Sequence, residues 1–146
     1  MKTLHIVAIL LAAMLIPLAA AEDAETTDAY IVTPASNDSK PHIAPLTYGT
    51  ITQGETDWYS LYVPPDKDNL WVDLDWGTPS NSLNLTIYPP DGTVLGPYHD
   101  ADDGKDNGRI FLCISKNDGL PSGIWYFEVY GEHVQGIEDY SFVAYY

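Results

Sequence analysis

Apolar and polar residues alternate in short runs from Thr47 to the end of the chain, and turn residues separate the runs. In Thr56 to Val63, Tyr59, Leu61 and Val63 share one face of a period-two strand while Trp58, Ser60 and Tyr62 share the other. Such a strand covers a core on one side only. Leu70, Val72, Leu74 and Trp76 alternate in the same way with Trp71, Asp73 and Asp75, and Leu83, Leu85 and Ile87 continue the apolar layer. The spacing predicts strands over 47–52, 56–63, 69–76, 83–88, 93–98, 109–114, 123–130 and 140–144. Gln53-Gly54, Pro64-Pro65-Asp66 and Pro89-Pro90-Asp91-Gly92 supply the reversals between several of them. Short strands at regular intervals, with almost no helical periodicity, predict an all-β fold: an antiparallel β-sandwich of jelly-roll type with about eight strands.

The segment before Thr47 reads differently. Lys2 precedes an apolar run from Leu4 to Leu15, followed by Pro17 and then Ala19-Ala20-Ala21. That order is a secretory signal peptide over residues 1–21, cut before Glu22, and it directs the chain outside the cell or to its surface. A membrane becomes a partner only if this segment is retained, since no later run is apolar for long enough to span a bilayer. Residues 22–46 are rich in Asp, Glu, Thr, Ala and Pro and read as an acidic tether leading into a domain at 47–146.

Charge and cysteine content narrow the function. Without residues 1–21 the chain keeps five basic and 21 acidic residues, a formal charge of −16 with histidine neutral. Nothing here could neutralise phosphates, so nucleic acid is excluded as a partner. The acidity suits either a solvated surface or carboxylates gathered as hard oxygen ligands for Ca²⁺. Cys113 is the one cysteine, so no disulfide framework exists and stability must come from packing or bound ions.

Six pieces of the chain, in order, resemble the bacterial and archaeal pre-peptidase C-terminal domain, to which the collagen-binding domains of bacterial collagenases also belong. They are Asn37-Asp38, Gly49, Asp57-Trp58-Tyr59-Ser60-Leu61-Tyr62-Val63, the run Leu83 to Gly92, Gly123 to Val129, and Tyr140-Ser141-Phe142-Val143-Ala144. The resemblance covers roughly Ser36 to Tyr146. It implies a β-sandwich accessory module whose usual setting is the end of a secreted peptidase, whereas here the module follows directly on the signal segment. It also implies Ca²⁺ as a stabilising ion, with Asn37, Asp38 and Asp57 at the family's ligand positions and Glu55 replacing one missing oxygen. Thr33 and Ala35 stand where calcium-binding members carry carboxylates.

Trp58, Tyr62, Trp71, Tyr126 and Tyr130 fall on strand faces opposite the core and form the candidate binding residues. Trp and Tyr bring large, stiff contact area with a polar tip, which suits an extracellular protein or a glycan. The acid-rich stretch Asp100 to Gly108 lacks the ligand order of an EF-hand loop and reads as a flexible solvated loop. His42, His99 and His133 have no ligand spacing, and no His-Glu-x-x-His or Gly-x-Ser-x-Gly occurs, so no catalytic residues are assigned. The sequence therefore predicts a secreted, non-catalytic binding or accessory module. Its alternatives are a structural subunit of an envelope or filament that self-associates through edge strands, and an accessory partner of a separate secreted peptidase.

Overall fold

The computed structural model of the chain describes residues 29–36 and 46–146. Among them are nine strands: β1 (Tyr30–Pro34), β2 (Thr47–Thr52), β3 (Thr56–Val63), β4 (Asn69–Asp75), β5 (Ser82–Tyr88), β6 (Leu95–Tyr98), β7 (Arg109–Lys116), β8 (Gly123–His133) and β9 (Ile137–Tyr145). They make two antiparallel sheets, ordered β1-β7-β4-β9-β2 and β3-β8-β5-β6. With β1 set aside, β7-β4-β9-β2 lies over β6-β5-β8-β3, which is the jelly-roll arrangement that the alternation predicts.

The inward residues of both sheets interdigitate as one core. Leu70, Val72 and Leu74 from β4, Leu83, Leu85 and Ile87 from β5, and Trp125, Phe127 and Val129 from β8 are fully buried. Each such side chain contributes about 1.5–3 kcal/mol relative to its exposed state, so these residues are a principal source of stability. Tyr140 of β9 also turns inward, and Gly49 of β2 lies opposite it in the ladder. A Cβ at Gly49 would sit 2.7 Å from the Tyr140 ring, so glycine is required by the close approach.

The sandwich departs from the sequence expectation in two places. β1 lies within the segment read as a tether and pairs with β7 from Tyr30↔Lys116 to Pro34↔Leu112. Its order comes from that ladder and from tertiary contact: Val32 packs against the core, and the Tyr30 ring meets Trp125 edge-on at 5.8 Å. Five residues are too few to display a period.

The acid-rich stretch after β6 is the second departure, since it is built rather than loose. Asp100–Asp103 forms one turn of 3-10 helix in which Asp100 and Asp103 are buried. The Asp100 carboxylate accepts from the backbone N–H groups of Asn107 (3.0 Å), Gly108 (2.7 Å) and Arg109 (3.2 Å). Asp103 accepts from Lys105 N–H and Phe111 N–H, each at 3.0 Å. These carboxylates stand in for backbone carbonyls and fold the loop onto the start of β7.

Candidate functional site

The outer surface of the four-stranded sheet carries an aromatic platform. β3 contributes Trp58, Ser60 and Tyr62, β8 contributes Ile124, Tyr126, Glu128 and Tyr130, and β5 contributes Asn84, Thr86 and Tyr88, all with the parity opposite to the core. Across the ladders Tyr62 faces Ile124, Ser60 faces Tyr126, and Trp58 faces Glu128. Trp58 is 56% exposed, Tyr62 58%, Ile124 48% and Tyr126 48%, so four large side chains on two neighbouring strands stand in solvent together. Single exposed apolar residues need no explanation, whereas a contiguous group of this kind is a candidate interaction surface.

The platform has a charged element at its middle. The Tyr88 hydroxyl donates to Glu128 Oε2 at 2.6 Å, and its ring leans against Trp58 with 5.5 Å between centroids and 35° between planes. Tyr88 sits on β5 and Trp58 on β3, so this contact spans β8 and covers Glu128 between them. The bond to the carboxylate, aided by desolvation, raises the Tyr88 pKa above the ordinary tyrosine value. Tyr88 therefore stays a neutral donor at any physiological pH and holds Glu128 in place.

Of the five predicted binding residues, Trp58, Tyr62, Tyr126 and Tyr130 share this face, with Tyr130 half-buried at its end opposite Thr56 and Asn84. Trp71 does not join them. It belongs to β4 of the other sheet and stacks on Tyr145 at 5.6 Å and 11°. Alternation assigns a residue to the inside or outside of the sandwich and says nothing about which sheet it is on. Tyr88, Ile124 and Glu128 went unassigned in the sequence reading, although each has the parity of a residue already chosen on its own strand or its neighbour.

The predicted calcium ligands occupy a different region. Asn37 and Asp38 lie outside the described residues. Glu55 Oε2 accepts from Thr52 N–H (2.8 Å) and Thr52 Oγ1–H (2.9 Å), bracing the turn that carries the chain from one sheet to the other. Asp57 Oδ2 accepts from the Tyr140 hydroxyl at 2.5 Å, and Tyr140 is linked in turn to the Tyr59 hydroxyl at 2.6 Å. Among the described residues no three acidic, histidine or cysteine side chains converge as a cation would require. Glu55 and Asp57 are thus engaged in hydrogen bonds within the sandwich.

The Tyr59–Tyr140–Asp57 chain yields a pH prediction. Burial first, then its bond to Asp57, holds the Tyr140 pKa far above the tyrosine value of 10.0. An unfolded tyrosine ionises near pH 10, so the stability tied to protonated Tyr140 is complete below that pH and is lost as pH rises toward the folded value. Tyr140→Phe is expected to remove about 1.4 kcal/mol per pH unit from the decline of unfolding free energy above pH 10. Urea unfolding at pH 9, 10 and 11 measures it, and parallel declines in wild type and variant would show that Tyr140 does not carry the effect.

The sequence pattern described as "Bacterial pre-peptidase C-terminal domain" matches residues 55–131, more than half of the chain. The chain belongs to the pre-peptidase C-terminal domain family. Domains of this family are generally non-catalytic accessory domains and are typically found in secreted proteins. The matched residues run from the start of β3 almost to the end of β8, so they contain the aromatic platform entire, whereas Tyr140 lies beyond them. An uncharacterised protein of Archaeoglobus fulgidus is 49% identical over 43 residues, which are 30% of this chain and 59% of that protein. The chain thus spans about three fifths of the length of this relative.

Proposed function

We propose that the chain is a non-catalytic binding module that works outside the cell or at its surface and holds an extracellular protein or glycan on the outer face of β3, β8 and β5. The observation that carries this reading is the group of exposed Trp58, Tyr62, Ile124 and Tyr126 on two neighbouring strands. A monomer that had no partner for this face would leave a large stiff apolar surface in water, a standing aggregation hazard. Secretion rests on the pattern of residues 1–21, and the accessory role agrees with the family to which the chain belongs. The rings supply flat contact area at low entropic cost, Glu128 offers an acceptor within it, and the rigid sandwich fixes their spacing.

Retention on cellulose, chitin and mannan gels, and binding to immobilised gelatin and fibronectin, test the reading. For whichever probe the chain holds, Trp58→Ala and Tyr126→Ala are each expected to weaken binding at least about tenfold, the effect of losing one buried aromatic anchor. Trp71→Ala, on the other sheet, is expected to leave it unchanged. Equal affinity in Trp58→Ala and wild type would remove the platform from consideration.

A further inference from the structure

The free edge of β3 has the features of a strand that pairs with its own copy. β3 is the longest of the four edge strands, at 8 residues against 5, 6 and 4 for β1, β2 and β6. Its register with β8 runs without a shift from Thr56↔Tyr130 to Val63↔Gly123. It contains no proline, no lysine and no bulge, the devices by which natural sheets block edge pairing. At the opposite end of the same sheet β6 is blocked, being short, interrupted by Pro97 and shifted in register against β5.

The ladder also fixes which groups are open. Gly131 N–H donates to the Glu55 carbonyl, so Glu55 points its carbonyl at β8, and the alternation then turns Asp57, Tyr59, Leu61 and Val63 toward β8 as well. Thr56, Trp58, Ser60 and Tyr62 present their backbone N–H and C=O groups outward. Among the described residues, no strand pairs with them.

We infer that two copies of the chain join antiparallel along β3, with the two-fold axis at Ser60. In that register Ser60 faces its own copy, and Trp58 faces Tyr62 of the second copy on both sides. All three residues have outward backbone groups, so every facing residue forms a hydrogen-bonded pair, about six bonds in total. Thr56 then faces Pro64 of the other copy, and the missing proline N–H ends the ladder there. The two four-stranded sheets become one of eight strands, and the two aromatic platforms become one continuous surface.

Charge does not oppose a second copy at this edge, acidic as the protein is. The chain carries a formal charge of −15, yet Thr56 to Val63 holds one ionisable acid, Asp57, whose carboxylate is turned inward to the Tyr140 hydroxyl. No like charges meet along the ladder, and Trp58 against Tyr62 is an aromatic cross-strand pair of the stabilising kind. The remaining repulsion is between solvated surfaces, so pairing strengthens as salt screens it.

Sedimentation equilibrium of the purified chain, from about 1 to about 200 µM at low and at high salt, tests the inference. The expected mass is twice that of one chain, with a dissociation constant that falls as salt rises. Ser60→Pro removes an outward N–H without touching the ladder to β8, and Ser60→Asp places two carboxylates together at the axis. Each is expected to raise the dissociation constant at least tenfold while melting within a few degrees of wild type. In a Cys113→Ser background, Ser60→Cys is expected to form a disulfide between copies on oxidation, and Thr56→Cys, far from its own copy, is not. A single-chain mass at all concentrations, a dimer that survives Ser60→Asp, or equal cross-linking at positions 56 and 60 would each overturn the pairing. None of these readouts involves a ligand of the aromatic platform, so they stand apart from the binding proposal.

Discussion

Asp100→Ala is expected to lower the unfolding free energy by about 3 kcal/mol and the melting temperature by on the order of 10 °C, one of the two largest effects of any single substitution proposed for this chain. The side chain is the acceptor for three consecutive backbone N–H groups, those of Asn107, Gly108 and Arg109. A methyl group cannot replace it, and water cannot reach the Gly108 amide, which is buried. The loss spreads further, because the Gly108 carbonyl accepts from Trp76 N–H (2.8 Å) and Gly77 N–H (2.9 Å) and so ties the end of β4 to the same loop. Asp100→Asn keeps one acceptor oxygen and offers an NH₂ group where the second acceptor was. It is expected to recover part of the loss and to remain less stable than wild type. Thermal unfolding of the three proteins side by side measures this order. If Asp100→Ala melted with wild type, the carboxylate would be a solvated surface group after all.

Asp100 also shows where the sequence stops being informative. A dense group of acids between two strands has the composition of a solvated loop, and nothing in one dimension distinguishes a carboxylate in water from one that replaces backbone carbonyls. The distinction depends on which amides arrive from Asn107 to Arg109 after the loop has closed. The strands from Thr47 onward were legible for the opposite reason: burial on one face imposes a period of two, and that period is written directly in Leu70-Val72-Leu74 and Leu83-Leu85-Ile87. β1 escaped because Tyr30 to Pro34 is stabilised by pairing with β7, a partner some 80 residues away.

The candidate site was legible in the same partial way. Trp58, Tyr62, Tyr126 and Tyr130 could be placed outside the core from parity alone, and the structure gathers them on one sheet. Trp71 has the same parity and lands on the other sheet, since sheet membership follows from topology. The Tyr88–Glu128 bond and the Trp58–Tyr88 contact join β5, β8 and β3, so they became visible only once the strand order was known. The same order puts β3 at an edge, where among the described residues no strand pairs with its second side.

The neighbouring positions Trp125 and Tyr126 separate these roles most sharply. Trp125 faces inward and is completely buried; its Nε1–H donates to the Pro121 carbonyl at 3.1 Å, and its ring receives the edge of Tyr30 from β1. Tyr126 faces outward and is 48% exposed. Trp125→Ala opens a cavity between the sheets and removes the ring against which β1 packs, at an expected cost of about 3–5 kcal/mol. Tyr126→Ala removes partly solvated surface and is expected to change stability by less than about 1 kcal/mol. Urea unfolding of both variants reads the first effect, and retention on the probe held by the wild-type chain reads the second. The proposed function requires that they separate: a chain that tolerates Tyr126→Ala in its fold and loses its ligand uses the outer face for binding. A Tyr126→Ala protein as unstable as Trp125→Ala would instead make the aromatic platform part of what holds the sandwich together.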